Sequence, residues 1–488
     1  MAGVAVLGLD AMPYWLLPRL RDEGLAPNIL RGRWYRLEAI PPITPASWPS
    51  IMGGVNPGKH GIFSFFHHDK NTGKSRLASG VDLEHPRIHE MLSYEGVPSL
   101  VVNPIPDYPH IPASKAVVVA NLFFTPRPYS VPAGLHERYF EGLWPPKRTI
   151  EYYEAYLEAL AGMLEDMLRD PPPLAWVNVN FPDAIYHKYP ETIEEPGRVS
   201  RLWSLADRLA KMLRDAYGNL VVVSDHGFRI FRYRVNVNDI LYRHGLAVAS
   251  RGEEEASVVE EHARERGEET RRLVLPSWVY SLIGRLGLEP LARKAFYNLV
   301  QPMLRRLTGK TIVVRAGRSV DPKASRAYMP FGGAYGVYTR GVDPGEVARL
   351  LSSYRGLVAF EASRVYSGPY TGRGPDVVVL GDNEAGYDLG PARIMGSVYT
   401  RTRFPSHDLW GSLIIDLEED LVDYEALPET VRNHAVAPLV QCMLGTPVSH
   451  IADGLPLARR ACRRPVEARN YIGRFRIAKR LALAKRRA

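Results

Sequence analysis

The sequence predicts an α/β protein with a mostly parallel central sheet and helices on both faces. Short apolar runs recur along the chain without the polar alternation of half-exposed strands, as expected for strands buried on both faces. Stretches with apolar residues at helical spacing, such as Tyr152–Leu168 and Val199–Tyr217, lie between several of them. Strands that alternate with helices are typical of a sheet covered on both sides. The apolar runs are Val4–Leu9, Ser99–Val102, Ala116–Ala120, Ala175–Val179, Leu220–Val223, Val377–Leu380 and Leu413–Ile415.

A change of pattern divides the chain into three parts. Residues 251–329 open with a charged stretch and continue with amphipathic helical patterns, so we expect a helical insertion or cap there. Residues 1–250 and 330–457 form the predicted α/β core, and residues 458–488 form a basic C-terminal tail. The patterns in the insertion are Glu253–Arg272, Trp278–Leu286 and Leu291–Leu307, and the strand pattern resumes near Phe331–Thr339.

Composition excludes several classes of protein. With 488 residues, of which 45% are hydrophobic and 24% charged, the chain is neither disordered nor fibrous. Its two cysteines, Cys442 and Cys462, exclude a disulfide-built secreted scaffold and a four-thiolate zinc site, and they favour a reducing compartment. No apolar stretch approaches the ~20 residues of a membrane-spanning helix, so we expect a cytoplasmic protein. Glutamine occurs only at Gln301 and Gln441, which is compatible with a thermophilic source.

The positive charge of the chain is concentrated in the tail. Residues 459–488 hold twelve Lys or Arg against the single acid Glu467, a net +11, so the other 458 residues carry −2 of the total +9. Apolar residues such as Phe475 and Leu481 lie among these arginines. Such a tail fits binding to the anionic inner surface of a membrane or to the phosphates of a nucleic acid. The alternative is a helix that packs on the protein's own body or on another subunit.

Polar residues follow several of the apolar runs, at the point where a parallel sheet binds its ligands. Each of them alone has an ordinary explanation as a helix cap, a turn or a surface histidine. Together, three carboxylates, three imidazoles and one hydroxyl have the composition of a two-metal site with oxygen and nitrogen ligands. These residues are Asp10, Thr44, Asp183, His187, Asp225, His226 and His407.

In their order and spacing, several stretches resemble the type I phosphodiesterase and nucleotide pyrophosphatase branch of the alkaline phosphatase superfamily. The resemblance spans roughly residues 1–457, interrupted by the insertion, and implies an alkaline phosphatase-like fold. The stretches that carry it are Leu7–Asp10, Thr44–Ile62, Phe181–His187, Ser224–Gly227, Gly374–Val378 and Ser406–Asp408.

The resemblance also implies roles for the strand-end residues. Thr44 would be the nucleophile and would contact the first metal, and a covalent phospho-threonine would then be hydrolysed. Imidazole with carboxylate suits two divalent ions, Zn²⁺ in the first place, with Mn²⁺ or Fe as alternatives. One ion would be held by Asp10, Asp225 and His226, and the other by Asp183, His187 and His407.

Two positions depart from the family pattern. Pro45 and Ser47 stand where the nucleotide pyrophosphatases have an aromatic residue and a phosphoryl-binding asparagine, so nucleotide specificity is not implied. Ser47, Lys59 and His60 are candidates for substrate binding, although the stretch Pro57–Gly61 also fits a structural turn. Asp408 is a candidate for orienting a ligand histidine.

These features predict a two-metal hydrolase of small phosphate esters, most specifically of phosphodiesters or pyrophosphates. Within the same superfamily, the alternatives are a phosphomonoesterase, a phosphomutase or a phosphotransferase. An alternative of another class is a non-catalytic protein that binds membrane or nucleic acid through its basic tail.

Overall fold

A computed structural model describes residues 3–121, 127–250, 270–275, 295–296, 300, 302–303, 310–330, 332 and 335–485. Its strands are β1 (Val4–Leu9), β2 (Arg33–Glu38), β3 (Phe66–His68), β4 (Ser75–Leu77), β5 (Ser99–Val102), β6 (Ala116–Ala120), β7 (Tyr129–Val131), β8 (Leu174–Val179), β9 (Asn219–Val223), β10 (Gly227–Val235), β11 (Thr270–Leu275), β12 (Thr311–Ala316), β13 (Ala327–Tyr328), β14 (Gly336–Thr339), β15 (Leu357–Glu361), β16 (Val377–Gly381), β17 (Tyr387–Leu389), β18 (Tyr399–Asp408), β19 (Trp410–Leu417), β20 (Thr430–Arg432), β21 (Val448–Ser449) and β22 (Ala468–Arg469).

The α-helices of the described residues are α1 (Leu17–Asp22), α2 (Thr44–Gly53), α3 (Pro57–His60), α4 (Ile88–Tyr94), α5 (Leu135–Phe140), α6 (Ile150–Met167), α7 (Asp183–Lys188), α8 (Glu191–Glu194), α9 (Ser200–Tyr217), α10 (Val237–Arg243), α11 (Pro344–Ser352), α12 (Val436–Leu444), α13 (Leu455–Ala461) and α14 (Ile472–Lys485). Short 3-10 helices lie at Tyr14–Leu16, Gly80–Asp82, Pro196–Val199, Ala362–Arg364, Thr371–Arg373, Tyr424–Ala426 and Asn433–Ala435.

The chain forms two compact units, and their boundaries differ from the predicted ones. The first unit comprises Met1–Ile62, Ser79–Arg229 and His407–Ala488, and the second comprises Phe63–Ala78 and Ile230–Ser406. The second unit is larger than the predicted insertion because several strands after residue 330 pack around a core of their own. Hydrophobic periodicity identifies such strands but does not show which sheet they join.

The first unit is built on a nine-stranded sheet with the order β20-β2-β19-β9-β1-β8-β5-β6-β7. Its five central strands, β9, β1, β8, β5 and β6, are parallel. The strand β19 runs antiparallel to both of its neighbours, and β7 runs antiparallel to β6. The sheet is therefore mostly parallel, which confirms the predicted fold class.

Helices cover both faces of this sheet. On one face, Trp48 and Ile51 of α2 and Met91 of α4 form a core with Val4 and Val6 of β1. On the other face α9 packs against β1 and β9, and α6 packs against α9. Because side chains alternate along a strand, a central strand covered in this way buries every residue, as β1 and β8 do.

The second unit contains a four-stranded sheet with the order β13-β14-β16-β15, whose neighbours are antiparallel. The helix α11 packs against β15 and β16, and Val347 and Leu351 share a core with Val377 and Val379. The strands β3 and β4 form a separate antiparallel pair in this unit, and a three-stranded sheet has the order β17-β10-β18.

The prediction of a helical insertion is wrong for part of residues 251–329. Residues 270–275 and 311–316 form the parallel strands β11 and β12, and the short strand β13 follows. The predicted helix Trp278–Leu286 lies outside the described residues, and so does most of Leu291–Leu307.

The basic tail packs on the body of the first unit. Tyr471 and Phe475 are fully buried, and β22 pairs with β21.

Cys442 and Cys462 form a disulfide with their Cα atoms 6.3 Å apart. A count of two cysteines did not predict this pairing, because it depends on how α12 packs against α13. No helix among the described residues is both long and apolar enough to cross a membrane.

Candidate active site

The predicted site residues lie close together at one edge of the first unit. Asp10 follows β1, Asp225 follows β9, and Asp183 opens α7 after β8. These three strands are parallel neighbours, so their carboxyl ends lie side by side. Thr44 is the first residue of α2, and His407 lies near the end of β18.

One cluster surrounds the Thr44 hydroxyl. Its Oγ1 lies 3.3 Å from Nε2 of His226. The same Nε2 lies 3.3 Å from Oδ2 of Asp225 and 3.6 Å from Oδ1 of Asp10. All four side chains are buried. A hydroxyl, two carboxylates and an imidazole therefore converge on one small volume.

A second cluster adjoins the first. Oδ1 of Asp183 lies 3.3 Å from Nε2 of His187 and 3.4 Å from Nε2 of His407, and the two Nε2 atoms are 3.2 Å apart. The rings of His226 and His407 stack with their centroids 3.9 Å apart, so the clusters are in contact. Asp183 and His187 share one face of α7 because they are four residues apart.

Backbone carbonyls fix the direction of two of the imidazoles. Nδ1 of His226 lies 3.0 Å from the carbonyl oxygen of Gly227, and Nδ1 of His407 lies 3.0 Å from that of Pro42. A carbonyl oxygen can only accept, so Nδ1 carries a proton in each ring, and in the neutral form of the ring Nε2 presents a lone pair to the clusters. Gly227 is required beside His226, because a Cβ atom there would lie 2.2 Å from the carbonyl oxygen of Trp410.

The arrangement fits two metal ions. One oxygen of each of three buried carboxylates, Oδ1 of Asp10, Oδ1 of Asp183 and Oδ2 of Asp225, accepts no hydrogen bond from any described residue. Buried carboxylate oxygens without partners are costly unless a cation neutralises them. They lie close to Nε2 of the neighbouring imidazoles, and the groups Asp10–Asp225–His226 and Asp183–His226–His407 each bring their candidate ligand atoms within 4.8 Å of one another.

Burial also shifts the ionisation of these residues. Burial, reinforced by the nearby Asp225 and Asp183 carboxylates, raises the pKa of Asp10 well above its usual range, and burial raises the pKa of Asp225 to about 7. Burial would raise the pKa of Asp183 too, but the neighbouring His187 and His407 outweigh this effect and hold that pKa well below its usual range. Burial lowers the pKa of His226 well below its ordinary value. The site thus carries an excess of acid groups that divalent cations would offset.

Comparison with known proteins decides the family. Residues 4–296 match the model of the family described as type I phosphodiesterase / nucleotide pyrophosphatase. The chain belongs to this family. The family consists of phosphoester hydrolases of the alkaline phosphatase superfamily. No match was found among curated proteins.

Two solved structures share the fold of this phosphodiesterase-family chain. A phosphonoacetate hydrolase from Sinorhizobium meliloti 1021, in complex with phosphonoformate, has a TM-score of 0.55 and 17% identity, and the match covers 91% of this chain and 94% of that one. Human ectonucleotide pyrophosphatase / phosphodiesterase 5 has a TM-score of 0.52 and 12% identity, with 94% and 99% covered. At these identities the likeness shows the fold alone.

Within this type I phosphodiesterase family chain, Ser47 joins α2 to the loop that holds Asp225. Its hydroxyl donates to the carbonyl oxygen of Asp225 at 2.5 Å and accepts from Nδ2 of Asn433 at 2.9 Å. Both roles of the hydroxyl are filled by protein groups, so the structure places Ser47 beside the site as a connection between α2 and Asp225. Asn433 lies 386 residues away in sequence, and no sequence signal pointed to it.

The other candidates for substrate binding make structural contacts. Nζ of Lys59 donates to Asp453 and to the carbonyl oxygen of Ile451, and the buried His60 ring bonds to Ser50 of α2. These contacts agree with the alternative of a structural turn at Pro57–Gly61. The structure does not bring Lys59 or His60 into either cluster.

Asp408 has a different partner from the one expected. Its Oδ2 accepts from Nε of Arg229 at 3.1 Å, whereas His407 is oriented by the carbonyl of Pro42. Adjacent residues of a strand point to opposite faces, which explains why Asp408 does not reach its neighbour's ring. The expectation that Asp408 orients a ligand histidine is therefore corrected.

The structure adds a buried pair behind Asp10 that the sequence reading missed. Nδ2 of Asn180 donates to Oδ2 of Asp10 at 2.9 Å, and the hydroxyl of Tyr153 donates to Oδ1 of Asn180 at 3.2 Å. A signal existed, because β8 pairs in register with β1 up to Leu9 and Val179, which sets Asn180 beside Asp10. Asn180 leaves only Oδ1 of Asp10 to face the cluster.

Proposed function

We propose that this chain is a two-metal hydrolase of phosphodiesters or pyrophosphates that uses Thr44 as its nucleophile. The observation that carries the proposal is the convergence of the Thr44 hydroxyl, three carboxylate oxygens that accept no hydrogen bond from the described residues, and the Nε2 atoms of three imidazoles. Threonine is a poor nucleophile at neutral pH and needs such an environment to react.

The chain's own residues position the reacting groups. Thr44 opens a ten-residue helix, so the partial positive charge of the α2 N-terminus favours a phosphate group in front of the hydroxyl. Oγ1 forms a bond to phosphorus while the bond to the leaving oxygen breaks, and the hydroxyl proton leaves with the departing alcohol or phosphate. Water then cleaves the phospho-threonine, which returns the hydroxyl to Thr44 and releases the phosphate product.

Two divalent cations, which we propose to be Zn²⁺, fit the mixture of carboxylate and imidazole ligands. When bound, they would activate the attacking oxygen and stabilise the leaving one. One would be held by Asp10, Thr44, Asp225 and His226, and the other by Asp183, His187 and His407.

The proposal does not extend to nucleotides. Pro45 offers no aromatic ring for stacking a base, and the hydroxyl of Ser47 is engaged by Asp225 and Asn433. We therefore place the specificity at the level of the phosphodiester or pyrophosphate group.

The test compares Thr44→Ala with Thr44→Ser on an aryl phosphodiester and an aryl phosphomonoester. Each protein is stripped with a chelator and restored with Zn²⁺, Mn²⁺ or Mg²⁺. We expect metal-dependent diester turnover that falls at least about a thousandfold in Thr44→Ala. Thr44→Ser keeps a hydroxyl and serves as the matched control, with measurable turnover.

Full activity of the Thr44→Ala variant would rule out Thr44 as the nucleophile. Faster turnover of the monoester than of the diester would favour a phosphomonoesterase instead. Undiminished activity after chelation would contradict the metal requirement.

A further inference from the structure

The C-terminal helix α14 is fixed on the first unit by one of its faces. Phe475 is fully buried, and so is Tyr471 just before the helix. Nζ of Lys479 lies 3.1 Å from the Glu84 carboxylate and donates to the carbonyl oxygen of Leu83 at 2.9 Å. These contacts set the rotation of the helix, and hence which side chains face outward.

The outward face carries two large apolar side chains. Ile477 is 62% exposed and Leu481 is 57% exposed. They are four residues apart, so they form one stripe along the helix. Among the described residues of the first unit, the other large apolar side chain with comparable exposure is Trp15, at 36%. A pair of this kind on a surface helix calls for an explanation.

Positive side chains accompany the stripe. Arg476 and Arg480 are exposed and precede Ile477 and Leu481 by one residue each, which sets them along one flank at 3.6 residues per turn. The exposed Arg474 lies on the other flank of the apolar stripe and also donates to the carbonyl oxygen of Tyr94. The sequence of α14 contains no acidic residue.

We propose that this outward face of α14 rests on the surface of an anionic lipid bilayer. The Ile477 and Leu481 side chains would enter the boundary between headgroups and acyl chains, while the arginines reach lipid phosphates at the level of the headgroups. The chemistry matches because the stripe is apolar at its centre and cationic at its margins.

Other occupants match this face less well. A nucleic acid would satisfy the arginines but leave Ile477 and Leu481 in contact with phosphate and water. A second copy of the same face would bring arginines against arginines, which is unfavourable at short range. The proposal concerns where the protein sits and does not depend on the reaction proposed above.

The test is flotation of the full chain with vesicles of phosphatidylcholine alone or with roughly a third phosphatidylglycerol, at about 0.1 M salt. The double variant Ile477→Ser/Leu481→Ser removes the stripe, and Val358→Ser, at an apolar position of the second unit that is 49% exposed, is the control. We expect binding to anionic vesicles only, weakened at least about tenfold in the double variant and unchanged in the control. Replacing Arg480 by Gln should weaken binding about fivefold.

Equal binding of the wild type and the double variant would overturn the proposal, and so would equal binding to both kinds of vesicle. Two further measurements reveal another occupant. Wild-type protein that ignores vesicles but binds a single-stranded oligonucleotide would assign the face to nucleic acid. A dimer in sedimentation velocity that the double variant abolishes, without vesicle binding, would assign it to a second copy. Unchanged thermal unfolding and diester turnover of the variants show that the fold and the active site are intact.

Discussion

At the scale of single residues, the site depends on which atom of each ligand side chain faces its centre. Asn180 takes up one oxygen of Asp10, and the Ala11 amide takes up one oxygen of Asp225. The carbonyls of Gly227 and Pro42 take up Nδ1 of two histidines. In each case the remaining atom is left to face the cluster, so neighbours that touch no substrate determine the geometry of the ligands.

Asn180→Ala should weaken metal binding without removing a ligand. The Asp10 carboxylate loses the donor that fixes its rotation, and outer partners of this kind typically contribute about 10–100-fold to metal affinity. Zn²⁺ titration of the chelator-treated protein measures the effect. Tyr153→Phe removes only the more distant hydroxyl and should have a smaller effect. Unchanged affinity in Asn180→Ala would show that Asp10 is held by other means.

Sequence alone was sufficient to propose all seven members of the clusters. Asp10, Asp183 and Asp225 follow apolar runs that form the neighbouring strands β1, β8 and β9. The stretches that resemble the family supplied Thr44 and His407. It was not sufficient for Asn433, which reaches Ser47 only through the packing of distant segments. It left Lys59 open between substrate binding and a structural turn, and it assigned Asp408 a different partner. A charged residue near a motif gives no sign of whether an ion partner such as Asp453 or Arg229 lies closer.

At the scale of elements, the helix α2, which carries the proposed nucleophile Thr44, is held from several sides. All ten of its residues are buried, and it ends at Gly54 in the left-handed conformation, with φ of 73°. A Cβ atom on Gly54 would lie 2.8 Å from the ring of Pro438, so α12 packs directly against this end. The position of Thr44 is therefore coupled to the packing of α12.

The Cys442–Cys462 disulfide connects α12 to the end of α13 and should stabilise the first unit. It closes a segment with a sequence separation of 20 residues, for which loop entropy predicts about 3 kcal/mol. We expect a lower unfolding temperature in the presence of a reductant, measured by circular dichroism. The variant Cys442→Ser/Cys462→Ser should match the reduced protein and show no further response. Identical unfolding with and without reductant would contradict this contribution.

Elements with a strong period were predicted closely. The runs Ser99–Val102 and Ala116–Ala120 have the bounds of β5 and β6, and the helix predicted at Val199–Tyr217 forms as α9. The prediction failed for β11 and β12, because their short apolar runs lie within a charged and amphipathic segment whose helical pattern was more prominent. Short runs of this kind do not distinguish a strand from part of a helix.

At the scale of the whole molecule, the sequence located the charge correctly but not the division into units. The tail carries +11, and its packing on the first unit through Tyr471 and Phe475 makes it part of that unit. The second unit joins β13, at the end of the predicted insertion, to the strands β14, β15 and β16 that follow it, because these four strands form one sheet. Which strands pair depends on tertiary contacts that a hydrophobic pattern does not encode.

The central claim is that Thr44 forms a covalent intermediate during phosphoester hydrolysis. The measurement that tests it most directly is the steric course at phosphorus, with a chiral phosphorothioate diester hydrolysed in isotopically labelled water by the metal-loaded protein. Attack by Thr44 followed by attack of water comprises two in-line displacements, each of which inverts the configuration at phosphorus. We therefore expect net retention of configuration. Net inversion would show that water attacks the substrate directly, and it would contradict the role of Thr44 as nucleophile.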